Sequence, residues 1–123
     1  IPMKYTNLRQ AVDERGQMSF AYDRHNVKRR KTAQVNMWHG LLTENIVQAL
    51  ARDIFGHGIL NCIDAGYTPC GSVHDELLFV VDEVEAEAAV SAITEAMCTP
   101  PEWAADLPLE CEIHFGNNYA EVK

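Results

Sequence analysis

Beyond residue 36 this 123-residue chain has almost no basic side chains: residues 37–123 carry two Lys/Arg against fifteen Asp/Glu, a net of −13. A surface of that sign repels phosphates, so this part does not wrap a nucleic acid unless metal ions or other protein supply positive charge. No run of about eighteen apolar residues occurs, which argues against a membrane-spanning helix. Ile1-Pro2-Met3-Lys4-Tyr5 also lacks the charged-then-apolar pattern of a signal peptide. A soluble cytoplasmic protein is the expectation. The four cysteines (Cys62, Cys70, Cys98, Cys111) form no Cys-x-x-Cys pair, so neither a zinc ribbon nor a thioredoxin-like motif is written here. Buried or half-buried free thiols are expected. A zinc site of His57, Cys62, Cys70 and His74 can be drawn on paper, but no close ligand pair nucleates it. Repeats, low-complexity segments and an interdomain linker are missing too. With 47% apolar and 23% charged residues, the composition is that of one globular domain over 1–123.

The charge that is present is divided unevenly. Residues 1–36 hold eight Lys/Arg against three Asp/Glu, a net of +5. The basic part peaks at Lys28-Arg29-Arg30-Lys31, after Asp23-Arg24-His25-Asn26, which reads as the turn of a β-hairpin between Met18–Tyr22 and Thr32–Val35. A cationic ribbon of this kind suits a phosphate backbone; a solvated loop that only maintains solubility is the alternative.

The remaining periodicities give an α+β order. Trp38, Leu42, Ile46, Leu50 and Ile54 recur every four residues, which predicts an amphipathic helix from about 38 to 65, interrupted at some cost by Gly56 and Gly58 and ended by Gly66. Asn45, Gln48 and Arg52 form a polar stripe on this helix, fit for hydrogen bonds to nucleic acid or simply for solvent. Residues 67–73 and Leu77–Val81 read as two strands about a turn at His74-Asp75-Glu76. Val84, Ala88, Ile93 and Met97 mark a second helix over 83–97, with Glu85, Glu87 and Glu95 outward. After a Pro-Pro connection, residues 109–115 alternate like a half-exposed strand. The expected segments are a basic hairpin (1–36), a helix (37–66), and a strand–turn–strand, helix and closing strand (67–123).

His74-Asp75-Glu76 carries the chemistry. Two adjacent carboxylates beside strand-forming apolar residues are costly unless a cation compensates them, and a divalent metal is the usual one. Val73-His74-Asp75-Glu76-Leu77 resembles the metal-binding palm motif of family A DNA polymerases. Residues Leu42 to Ile54 are similar to the helix preceding that motif in phage-type members. The thirty residues from Asn45 to Asp75 match the family's interval between the two. The basic hairpin and the closing Leu107-Pro108-Leu109 and Asn117-Asn118-Tyr119 also resemble the family, so the resemblance covers nearly the whole chain.

The resemblance implies a partial polymerase palm: an antiparallel strand–turn–strand with packed helices and an N-terminal β-hairpin. It implies that Asp75 is the second metal-binding aspartate, Glu76 the auxiliary carboxylate and His74 the histidine beside the primer terminus, with Mg2+ as the metal. Asn36 and His39 fall near positions that touch the template–primer minor groove, and Lys28, Arg29, Arg30, Lys31, Asn45, Gln48 and Arg52 are further candidates for DNA contact. Trp38-His39-Gly40 departs from the Tyr-Gly-Gly pattern of phage members. Neither an Asp-Tyr-Ser-type first aspartate motif nor an Arg-x3-Lys-x6-Tyr-Gly fingers helix is present, so the chain is expected to be inactive alone. The partners implied are template–primer, dNTP, the remaining palm, fingers and thumb, and a second copy of the chain as a possible homo-oligomer partner; no membrane is expected. A non-catalytic binding or assembly module, such as a prophage remnant, is the alternative. A metal-dependent nuclease is a third reading, weakened by the small number of acidic ligands.

Overall fold

The computed structural model describes residues 3–122. Two compact units divide within one long helix, the first ending at Ala51 and the second beginning at Arg52. In the first unit, β1 (Thr6–Val12), β2 (Met18–Asn26) and β3 (Lys31–Met37) form an antiparallel sheet in the order β1-β2-β3. The hairpin expected at the N-terminus is therefore the second half of a three-stranded sheet. Its turn is Val27–Arg30, not Asp23–Asn26, which continues β2 to the pair Asn26↔Lys31. Two contacts explain the shift. Asp23 is held inside the sheet by β1, and Asn26 Oδ1 accepts the Arg29 N–H at 3.0 Å, starting the turn one step later.

The cross-strand registers separate the faces of this sheet. Val12↔Met18, Phe20↔Met37 and Tyr22↔Val35 share an apolar face, while Arg9, Asp23, Gln34 and Asn36 lie on the other. Only Ala21 and Tyr22 are buried here; Val12, Met18 and Phe20 are exposed. On the polar face Arg9 Nη1 lies 3.0 Å from Asp23 and Arg9 Nη2 donates to Gln34 Oε1 at 2.7 Å, so one guanidinium spans all three strands.

Hydrogen bonds from Asn7 and then Arg9 hold the Asp23 carboxyl below the usual carboxylate range. A depressed folded-state value contributes stability present above the unfolded value of ~3.9 and lost as the pH falls through the lower folded one. Asp23→Asn is expected to lower the melting temperature at neutral pH and to flatten its fall below pH ~4. An unchanged acid slope in thermal melts would contradict a stabilising role.

The long helix, α1 (His39–Asp64), forms as its four-residue repeat predicts. Its apolar stripe is not buried throughout, however: Trp38, Ile46 and Leu50 are exposed, and within α1 the buried positions are Gly58 and Cys62. The periodicity identified the helix but not the part of its face that is covered. In the second unit the covering element is α2 (Ala86–Cys98), preceded by a 3-10 turn at Glu83–Glu85. Cys62, Ala89, Ile93 and Ala96 form its core, with Tyr67, Phe79, Met97 and Ile113 packed around them. Val84 and Ala88, expected on the core face, are exposed. Gly58 has a packing reason: a Cβ there would stand 2.9 Å from Met97 Sδ. Asn61 Nδ2 donates to the Ala96 carbonyl at 3.0 Å, joining the same two helices. Gly66, at φ +93°, ends α1 with Gly66 N–H to Ile63 O and Tyr67 N–H to Cys62 O, the paired bonds of a Schellman motif.

Past α1, β4 (Gly71–Val73) and β5 (Glu76–Leu78) form a short antiparallel pair. The return strand expected to reach Val81 stops at Leu78; Phe79 turns to the core, while Val80 and Val81 are exposed. Residues 109–115 keep the predicted alternation, with Leu109, Cys111 and Ile113 half-buried and Glu110, Glu112 and His114 exposed. They form no strand, because no neighbouring strand among the described residues pairs with their backbone.

Candidate functional site

The register Val73↔Glu76 leaves His74 and Asp75 as a two-residue hairpin loop. The Cys70 N–H donates to the Leu78 carbonyl at 2.8 Å and closes the base of the hairpin. His74 has φ +55° and Asp75 does not share the positive φ, the sign pattern of a type II′ turn, which prefers glycine at its first central position. A Cβ in this region costs about 1–2 kcal/mol. The strain lies at the tip that carries the carboxylates, as it does in many functional turns.

His74→Gly is expected to stabilise the chain by about 0.5–1 kcal/mol, because relieved strain exceeds glycine's added freedom when unfolded. Denaturant melts check this, and a destabilised variant would show that the His74 side chain has a structural role.

His74, Asp75 and Glu76 are all exposed. Asp75 has no hydrogen bond or ion pair among the described residues. Glu76 is held: the Tyr119 hydroxyl donates to its Oε2 at 3.0 Å. That tether crosses forty-three residues. Composition and periodicity give no sign of it, although Asn117-Asn118-Tyr119 stood out as a segment. Locally, Glu121 accepts from the Asn117 N–H and the Asn118 side chain, and Asn118 Oδ1 accepts from Ala120 N–H, which shapes the turn presenting Tyr119.

Among the described residues no three His, Cys, Asp or Glu side chains gather into a metal-holding group. This includes the paper combination of His57, Cys62, Cys70 and His74. Asp75 and Glu76 are hard oxygen donors of the kind Mg2+ accepts, but two carboxylates make only part of a two-metal centre.

In the first unit Lys28, Arg29 and Arg30 are exposed in the β2–β3 turn, with Arg30 at φ +47°, and Lys31, also exposed, opens β3 opposite Asn26. Their side chains are in no ion pair among the described residues, so the cationic groups are available to a ligand. Asn36 is exposed on β3 opposite Ala21. His39 opens α1 with its ring edge-on to Trp38 at 5.4 Å. Asn45 has an internal role that its helical spacing does not reveal: its Nδ2 donates to the Tyr5 hydroxyl at 3.2 Å, and Tyr5 meets Tyr22 edge-on at 5.0 Å. Gln48 is exposed. Arg52 begins the second unit, its guanidinium 5.8 Å from the Phe55 ring centre. The structure thus gathers the four basic residues at the β2–β3 turn and the start of β3, and His74, Asp75 and Glu76 with Tyr119 at the β4–β5 hairpin, each set within its own unit.

Among the described residues no helix is long and apolar enough to cross a membrane. The thiols depart from expectation at one position: Cys62 is buried and Cys98 and Cys111 are half-buried, but Cys70, at the mouth of the hairpin, is exposed.

No protein-family model and no solved structure matches the chain. It is 32% identical over 111 residues to the DNA polymerase of Bacillus phage SP02, a match that takes in 89% of this chain. The matched part is 17% of that polymerase, so the chain spans about a sixth of its length. A match of this extent takes in the middle of the chain, where His74-Asp75-Glu76 lies. The chain is therefore similar to one segment of a phage DNA polymerase.

Proposed function

We propose that this chain is the C-terminal palm segment of a family A DNA polymerase of phage or prophage type. It serves template-directed nucleotidyl transfer in DNA replication, in the cytoplasm of a bacterial or phage-infected cell. The observation that carries this reading is the 32% identity to a phage DNA polymerase over 89% of the chain. The exposed carboxylate turn inside that match supports it.

The residues fit part of a magnesium site. Asp75, unpaired among the described residues, and Glu76 beside it offer carboxylate oxygens, and the other ligands come from the rest of the polymerase and from water. When bound there, magnesium ions acidify a primer 3′ hydroxyl and stabilise the leaving pyrophosphate. Asp75 supplies the charge, Glu76 is oriented by Tyr119, and His74 stands beside the primer terminus. Lys28, Arg29, Arg30 and Lys31 neutralise backbone phosphates. Asn36, His39, Gln48 and Arg52 offer groups to the template–primer. Asn45 does so with its free carbonyl end, its amide nitrogen being occupied by Tyr5.

Template-directed extension by the purified chain is expected to be absent with magnesium and all four dNTPs, because among the described residues no third acidic ligand joins Asp75 and Glu76, and the sequence holds no Arg-x3-Lys-x6-Tyr-Gly helix for the triphosphate. Extension by the chain free of host polymerase would overturn this reading. The alternative, a non-catalytic assembly module, has one observation in its favour: the exposed apolar face of Val12, Met18 and Phe20 on the three-stranded sheet. It too predicts no extension by the chain alone, but it predicts none in a complete polymerase either.

A further inference from the structure

We propose that Cys98 and Cys111 are a modification site, a thiol pair that closes reversibly to an intrachain disulfide and staples residues 109–115 to the end of α2. Their Sγ atoms lie 3.6 Å apart and both thiols are free. A disulfide needs about 2.05 Å between sulfurs, a difference that side-chain rotation and a small backbone shift supply. The backbone on one side is able to give. Residues 109–115 belong to no sheet, and Ile113 is packed against the α2 core through its side chain. The half-buried position of both cysteines leaves them reachable by a small reagent, whereas Cys62 is fully buried.

The oxidant is a small-molecule disulfide such as oxidised glutathione. The thiolate of Cys98 attacks one of its sulfurs, forming a mixed disulfide and releasing one glutathione thiolate. The Cys111 sulfur then attacks the Cys98 sulfur and expels the second glutathione. The two cysteines lose two protons and two electrons, and the reagent gains both as two thiols. Burial, and after it the neighbouring Cys98, raises the Cys111 thiol above its ordinary value. That suits it to the second, intramolecular step, where proximity compensates for scarce thiolate. The consequence reaches the acidic turn through the chain: the stapled segment leads directly to Tyr119, the hydrogen-bond partner of Glu76. The disulfide depends only on this geometry and not on the polymerase reading.

The test is incubation of the unaltered chain in glutathione redox buffer, acid quenching and peptide mapping by mass spectrometry. The expected product is two hydrogens lighter, contains a Cys98–Cys111 linked peptide, melts roughly 10 °C higher and reverts with dithiothreitol. Cys70→Ser should behave in the same way, and Cys98→Ser should yield only glutathione adducts. Persistent glutathione on Cys98 or Cys111 in the unaltered chain, a bridge involving Cys62 or Cys70, or an unchanged thiol count would each overturn the proposal. These readings come from the unaltered chain, so they hold even if a variant fails to fold.

Discussion

Asp75→Asn is expected to reduce nucleotidyl transfer by more than about a hundredfold in a complete polymerase while leaving the free chain as stable as before. The functional half follows from charge. A carboxamide places no negative charge at the tip of the turn, and under the proposed function it removes a direct ligand, a loss beyond the ten- to hundredfold typical of a supporting one. The structural half follows from exposure. Asp75 is solvated and has no hydrogen bond or ion pair among the described residues, so its replacement falls within about 0.5 kcal/mol of neutral. Removing one of two adjacent carboxylates relieves a small repulsion as well. A structural turn predicts the reverse, a loss of about 0.5–2 kcal/mol with the hydrogen bond it breaks. Glu76→Gln should be milder for transfer, as befits the auxiliary carboxylate of the proposed function, and should cost the free chain little, because an amide oxygen still accepts from the Tyr119 hydroxyl. Thermal melts of the free variants and single-turnover extension by the complete ones separate the two accounts.

Replacing Lys28, Arg29, Arg30 and Lys31 together by Ala is expected to weaken DNA binding by a complete polymerase that carries this chain by roughly tenfold or more, with a flatter salt dependence. Each lost phosphate contact lowers the slope of log affinity against log salt by about 0.9, so four contacts give about 3.6. Sequence preference should hardly change, because phosphate contacts carry no base information. The fold should survive: the side chains are exposed, and the loop is shaped by the Asn26 side chain and by backbone, which all four substitutions keep. An unchanged slope after four substitutions, measured at several salt concentrations, would return this loop to a solvating role.

Much of the fold was legible because local pattern and local structure agree. Four-residue spacing places α1 within a residue of its ends, and Gly66 stops it through a left-handed residue that glycine accepts. The turn was visible as charge between two apolar runs, although it takes only His74 and Asp75, Glu76 being the first residue of β5. β1 was not legible, because Thr6–Val12 intersperses three aliphatic side chains with Asn, Arg and Gln and is recruited by pairing with β2. The shift of the β2–β3 turn has the same cause: Asp23 reads as a turn former, yet Asn7 and Arg9 from β1 hold it in the sheet. Burial was the least legible property. Ile46 and Leu50 sit on a regular apolar stripe but remain exposed, whereas Gly58 and Cys62 are buried because α2 covers that length of the helix. In the candidate site, the residue types on the turn were readable, but the tether from Tyr119 to Glu76 and the use of Asn45 by Tyr5 are tertiary contacts across about forty residues with no local signal.

The central claim is that this chain serves as the carboxylate-bearing segment of a working DNA polymerase. The most direct measurement is magnesium-dependent primer extension by the phage SP02 polymerase carrying this chain in place of its matched segment, with cooperative melting as the check of folding. The account predicts template-directed extension that disappears with Asp75→Asn and with magnesium removal. A chimera that melts cooperatively and binds primed template but does not extend it, or one that extends equally well with Asp75→Asn, would contradict it.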